Sequence, residues 1–188
     1  MWTYNGKRIQ EGRAWTDNNG VQHPANWHVW SEDEKTTHGL VWVELQEKPD
    51  SRFYTFSQNA DGTYTTTPKA LEDTNEVDEN GDPLLDEDGN QVVTPGLKSN
   101  WIAQIKATQG SLLAQTDWAY IRKTDTSIAV PTDIQTYRDE VRLAAGTIED
   151  QISQCADLDA FKALFITPTD ADGVPTGNAP IYNWPKEL

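Results

Sequence analysis

Pro131-Thr132-Asp133-Ile134-Gln135-Thr136-Tyr137-Arg138-Asp139-Glu140-Val141-Arg142-Leu143-Ala144-Ala145-Gly146-Thr147-Ile148-Glu149-Asp150-Gln151-Ile152-Ser153-Gln154-Cys155 decides the architecture of the C-terminal half. Ile134, Tyr137, Val141, Ala145, Ile148, Ile152 and Cys155 step by three or four residues, which places them on one face of an α-helix that follows Pro131. Such a stripe has to pack on a sheet, on another helix or on another subunit. Just beyond it, Asp157 is placed to cap a last helix that buries Leu158, Phe161 and Leu164. Upstream, Ser99 is a candidate cap for a helix in which Trp101, Ile102, Ile105, Leu112 and Leu113 recur near helical spacing, weakened by Gly110. From Thr167 onward, Pro168, Asp172-Gly173, Pro175, Gly177 and Pro180 write a loop, and Ile181-Tyr182-Asn183-Trp184-Pro185 closes the chain as an extended apolar segment.

The N-terminal half has a different period. Asn5-Gly6, between Trp2/Tyr4 and Ile9, is a hairpin signal, and Asn19-Gly20 repeats it. Ser31 stands three residues before Glu34, so that each can cap the other's backbone N–H in a helix of one or two turns that Gly39 ends. Leu40-Val41-Trp42-Val43-Glu44-Leu45 and Arg52-Phe53-Tyr54-Thr55-Phe56 are rich in β-branched and aromatic residues, and Asp61-Gly62 turns the chain into Tyr64-Thr65-Thr66-Thr67. The expected fold class is therefore α+β: a small turn-rich antiparallel β region (1–75), an acidic segment (76–98) and a helical region with an extended tail (99–188).

The acidic segment holds an eight-residue repeat, Asp78-Glu79-Asn80-Gly81-Asp82-Pro83-Leu84-Leu85 followed by Asp86-Glu87-Asp88-Gly89-Asn90-Gln91-Val92-Val93. Each copy reads as a tight turn, at Asn80-Gly81 and at Asp88-Gly89, followed by a short apolar strand, giving two stacked hairpin corners. Asp78, Asn80, Asp82, Asp86 and Asp88 also crowd oxygen atoms together as weak candidate calcium ligands. The spacing departs from a standard calcium loop, which wants Gly where Pro83 stands and Glu where Gly89 stands. The solvated acidic hairpin is the favoured reading.

Composition narrows the partners. The 188 residues carry 15 Lys plus Arg against 30 Asp plus Glu, a net charge of −15. That field repels nucleic-acid phosphates and anionic headgroups, and no basic cluster reverses it, so neither nucleic acid nor membrane is an expected partner. Mean hydropathy is −0.71, and no window approaches the roughly 20 apolar residues of a membrane span. The N-terminus shows no basic-then-apolar signal, so the chain is expected in the cytoplasm when made.

Catalytic signatures are missing from the sequence: there is no phosphate-binding Gly-Lys-Ser/Thr, no Gly-x-Ser-x-Gly and no Gly-x-Gly-x-x-Gly after a strand. His23, His28 and His38 fall in turns without a His-Glu-x-x-His or paired-Cys spacing, which disfavours zinc. Cys155 on the apolar stripe reads as a small buried hydrophobe. No cofactor and no catalytic residue are expected. Trp2, Trp15, Trp27, Trp30 and Trp42 could stack on sugars in a host-recognition module. Most of them are expected in the core, because the region has few Leu, Ile or Val to fill it.

Two stretches resemble pieces of tailed-phage proteins found around tail fibres and their assembly factors. Leu112-Leu113-Ala114-Gln115-Thr116-Asp117-Trp118, then Arg122, Pro131, Tyr137-Arg138 and Val141-Arg142, is similar to that family's pattern, and Trp184-Pro185 resembles its closing Trp-Pro. Gln22-His23-Pro24-Ala25-Asn26-Trp27 through Ser31-Glu32-Asp33-Glu34-Lys35 to Gly39-Leu40 resembles a turn-plus-short-helix module of such proteins. The chain departs from the pattern where 143–180 is inserted before the Trp-Pro and where Asp125 replaces a common Glu. The resemblance implies a non-enzymatic protein that binds a tail fibre, baseplate or other tail protein, or further copies of itself. It would act in the host cytoplasm during assembly and sit in the virion tail afterwards. Trp118, Arg122, Tyr137, Arg138, Val141 and Trp184 are the candidate partner-binding residues.

Overall fold

A computed structural model describes residues 1–44, 46–59 and 62–188. It shows short antiparallel strands first and helices after, an α+β chain. The chain divides into two compact units, Met1–Pro68 and Lys69–Leu188, so the acidic segment falls with the helices.

In the first unit, β1 (Trp2–Tyr4) lies between β2 (Lys7–Arg8) and β5 (Leu40–Trp42), both antiparallel to it. Asn5 and Gly6 both take positive φ, 48° and 74°, the two-residue turn whose twist matches that of its strands. β3 (Trp15–Thr16) pairs with β4 (Gln22–His23), and β6 (Tyr54–Gln58) pairs with β7 (Tyr64–Pro68). The strand expected at 52–56 thus starts two residues late, since the Phe53 and Tyr54 amides are spent on the Asp50 carbonyl. Leu45 and Asp61, at the ends of expected elements, lie outside the described residues.

Between β4 and β5, a 3-10 turn (Ala25–Val29) leads to α1 (Glu32–Thr37). The Ser31 hydroxyl accepts from the Glu34 amide, and the Glu34 carboxylate accepts from the Ser31 amide at 2.8 Å, the reciprocal cap read in the sequence. The core of the unit is Trp15, Trp27 and Leu40, bordered by Trp2, Tyr4, Ile9 and Trp30. Tryptophans do fill it, with Trp42 left on the surface.

One turn recurs in both units, at the Asn-Gly and Asp-Gly pairs read as turn and loop signals. In 17–21, 78–82, 86–90 and 170–174 the first Asp shares a backbone pair with the fifth residue, so the loop holds three residues. Its Gly takes a φ near +80°, which closes a type I turn with a bulge. The Asp carboxylate then accepts the two amides the turn leaves unpaired; Asp78 Oδ1 takes those of Asn80 and Asp82 at 2.8 and 3.0 Å.

The second unit opens with β8 (Thr74–Asn75) antiparallel to β9 (Val93–Thr94). Between them the repeat closes a ring. The Glu76 amide donates to Val92, the Val92 amide to Leu84 and the Leu84 amide to Glu76. The Gln91 side-chain amide lies within reach of all three carbonyls, at 2.7 to 3.1 Å. The eight-residue period therefore generates a three-cornered β cycle rather than two stacked corners, with single bridges at Val77–Pro83 and Leu85–Gln91 in place of strands.

Helix α2 (Leu97–Ala114) follows. It starts two residues before Ser99, and its end is capped from a distance. The Asp73 carboxylate takes the Gly96 amide at 2.8 Å and the Ser99 hydroxyl at 2.9 Å, and the Ala70 and Leu71 carbonyls take the next two amides. A side chain at Gly96 would stand 2.3 Å from the Glu72 carbonyl oxygen, so only glycine fits. Next come α3 (Asp117–Thr126), which the sequence reading did not assign as a helix, α4 (Thr132–Gln154) and α5 (Leu158–Ala163). Gly110 does not interrupt α2. The Asp157 carboxylate accepts the Ala160 amide at 2.8 Å, the cap expected for α5.

The stripe on α4 is buried along its whole length and packs against α2. An open stripe awaiting another subunit is thereby excluded. Phe161 is fully buried, whereas Leu158 and Leu164 are half-buried. Phe165 packs edge-on against Trp101, with ring centres 4.7 Å apart. The tail is not simply extended: Pro180–Tyr182 forms a 3-10 turn that sinks Ile181 into the core, its amide bonded to the Leu164 carbonyl. Among the described residues, no helix is long and apolar enough to cross a membrane.

The carboxylates that serve as turn and cap acceptors set an acid limit on this fold. Backbone amides hold Asp17, Asp73, Asp78 and Asp86 below the usual aspartate range, through Val21, Gly96, Asn80 and Asn90 first respectively. A folded-state pKa below the unfolded one stabilises the fold above the unfolded value, about 3.9, and that contribution disappears as pH falls through the folded value. The denaturation midpoint in urea should be level above pH 5 and fall below about pH 4. A midpoint that stays level to pH 3 would show that these carboxylates do not support the turns.

Candidate functional site

Four residues of the C-terminal motif, Leu113, Thr116, Asp117 and Arg138, meet at the corner between α2 and α3. One Arg138 nitrogen, Nη1, donates to the Leu113 carbonyl at 2.7 Å, the Thr116 hydroxyl at 2.9 Å and Asp117 Oδ1 at 2.7 Å. Its two N–H groups share three acceptors. The Thr116 hydroxyl donates in turn to the Leu113 carbonyl, which also accepts the Thr116 amide at 3.1 Å as α2 ends. The guanidinium also lies 4.7 Å from the centre of the Tyr120 ring, a cation over an aromatic face. Arg138 thus fastens the start of α3 to α4, and Ala119 seats α3 against Val130 and Ile134.

The opposite face of α3 is left in solvent. Trp118 is 51% exposed and Ile121 69% exposed; with Arg122, also exposed, they lie three and four residues apart on one side of the helix. The outcome for the candidate residues is divided. Trp118 and Arg122 are accessible, Trp184 is half-buried, and Tyr137, Arg138 and Val141 are buried, acting beneath the surface rather than on it. Ile121 was missed, although its place one turn after Trp118 would have shown in a helical reading of 117–126.

Trp118 and Trp184 each border a cleft. Trp118, Gln115, Thr116 and Tyr137 line one of about 290 Å³ together with the C-terminal Leu188. Trp184 lines another of about 670 Å³, with Leu143, Ala144 and Pro180 among its walls. The Tyr137 hydroxyl is buried without a hydrogen-bond partner among the described residues, and burial first, then the Glu187 charge, pushes its pKa up. A hydroxyl desolvated for no bond contributes nothing to stability. Tyr137→Phe should therefore leave the unfolding free energy measured in urea unchanged or raise it by up to about 1 kcal/mol; a clear loss would reveal a bond the hydroxyl makes in solution.

The remaining candidates sit elsewhere. Asp78 and Asp86 turn a carboxylate oxygen onto their own loop amides, and Asn80, Asp82 and Asp88 lie exposed on the same loops. No group of three or more His, Cys, Asp or Glu is arranged for a metal among the described residues. His23 is buried, stacked on Trp15 at 4.2 Å and 3.3 Å from Asp17 Oδ2. The Cys155 thiol is buried and donates to the Gln151 carbonyl, and burial pushes its pKa up. Comparison of the chain with protein-family models, with curated proteins and with solved structures finds no match.

Proposed function

We propose that this chain is a non-enzymatic component of tailed-phage tail assembly that binds a fibre, baseplate or other tail protein through the exposed face of α3. The observation that carries the reading is the corner itself. Leu113, Thr116, Asp117 and Arg138, four residues of the phage-like motif, form one hydrogen-bonded unit that fixes the start of α3, the helix that presents Trp118. Trp and Arg on a rigid support are the residue types that dominate protein interfaces. A net charge of −15 favours a partner with a basic rim. The protein would meet that partner in the host cytoplasm and stay with it in the virion tail, or leave once assembly is complete.

The test is quantitative mass spectrometry of purified virions and of infected-cell lysate, with the chain tagged for copurification. Capture of a tail protein by the wild-type chain, lost with Trp118→Ala or Ile121→Asp, supports the reading. Presence in virions at a stoichiometry fitting tail symmetry makes it a resident subunit, and abundance in lysate alone makes it an assembly factor. If no tail protein copurifies from infected cells, the reading fails.

A further inference from the structure

We propose that the N-terminal unit carries a separate binding site for a neutral, pyranose-based glycan, in the cleft of about 520 Å³ bordered by Trp2 and Trp42. The two tryptophans are direct partners across β1 and β5, so their side chains share one face of the sheet. Their rings meet edge to face, with centres 5.3 Å apart, and the Lys35 ammonium lies 5.0 Å from the centre of the Trp2 ring. Trp2 is thus held between neighbours. Trp42 has Trp2 as its one ring partner among the described residues and is 57% exposed.

The polar lining is the second observation. Arg8, Gln10, Glu11 and Glu44 line the same cleft, and none of their side chains makes a hydrogen bond or ion pair among the described residues. Other polar side chains of this unit are tied down, as Glu34 is to Ser31 and Asp17 to its own loop. Four planar groups, one donor, one amide and two acceptors, therefore stand unpaired around an exposed aromatic face.

A pyranose matches both features. One face of the ring is a patch of C–H groups that can lie on an indole, and its edge carries adjacent hydroxyls, each able to donate and accept. Guanidinium, amide and carboxylate groups present two atoms side by side to such hydroxyl pairs. The volume falls in the usual range of small-ligand sites, about 300–1,000 Å³. Glu11, Glu44 and the net charge of −15 oppose an anionic sugar, which selects a neutral one. The site lies in a different unit from α3 and does not depend on the tail-assembly reading.

The experiment screens the full chain on an array of neutral glycans and follows the strongest by isothermal titration and tryptophan emission, with sialyllactose as the anionic control. The expected result is saturable binding of at least one neutral glycan that Trp42→Ala weakens at least about tenfold. Trp42→Phe should retain part of the affinity, Arg8→Ala and Glu11→Gln should each weaken it, and sialyllactose should bind at least about tenfold less tightly. Near-UV circular dichroism confirms that the Trp42 variants keep the Trp15–Trp27 core. The proposal is overturned if no neutral glycan binds, if binding survives Trp42→Ala unchanged, or if a tail protein rather than a sugar shields Trp42 from acrylamide quenching.

Discussion

Arg138→Met should destabilise the helical unit by about 3 kcal/mol and release α3. Methionine keeps most of the volume, so what is removed is the guanidinium and its bonds. The buried Thr116 hydroxyl loses its charged donor, and leaving such a group underpaired costs about 1–3 kcal/mol; the Leu113 carbonyl loses a charge-assisted bond but keeps the Thr116 amide and hydroxyl. Two features moderate the total. Asp117 has 54% of its side chain exposed and recovers hydration when its partner leaves, so no buried charge is stranded. Arg138 Nε has no hydrogen-bond partner among the described residues, and the desolvation it suffers is relieved in the variant.

Controls separate the contributions. Asp117→Asn removes only a half-exposed ion pair and should cost under about 1 kcal/mol. Arg138→Lys keeps the charge but loses the planar fork, and should recover less than half of the loss. In hydrogen exchange, the amides of 117–126 should lose protection in Arg138→Met before those of α2. If the variant matches wild type in urea midpoint and in α3 protection, the clamp has been misread, and with it the support proposed for Trp118.

Legibility from sequence follows how local each interaction is. The α4 stripe, the Ser31–Glu34 cap, the Asp157 cap and the Asn5-Gly6 turn are each set within a few residues, and all appear as read. The start of α2 was misplaced because its cap, Asp73, lies 23 residues before the Gly96 it serves. The three-cornered cycle was missed for a related reason. Each turn can be read alone, but the ring exists only when Glu76, Leu84 and Val92 meet. The candidate site was legible as a set of residues and not as a set of roles. Nothing local distinguishes Arg138, spent inside the corner, from Arg122, left on the surface.

Trp27→Ala is expected to have the largest effect on the N-terminal unit, unfolding it at temperatures where the wild type is folded. Trp27 is 0% exposed and the largest fully buried side chain among the described residues. Its indole N–H donates to the Arg13 carbonyl at 3.0 Å, tying the segment before β3 to the 3-10 turn. Truncating a buried Trp costs about 3–5 kcal/mol. That equals what a core in a unit under about 70 residues supplies altogether. Trp27→Phe keeps much of the apolar area but leaves the Arg13 carbonyl without its donor, and should lose roughly half as much. The helices of the chain beyond α1 all lie in 97–163, so the far-UV helical signal should persist in Trp27→Ala while tryptophan emission shifts to the red. Loss of both signals together would mean that the helical unit depends on the β unit for its stability. Retention of both, with an unchanged urea midpoint, would mean that Trp27 is not the centre of this core.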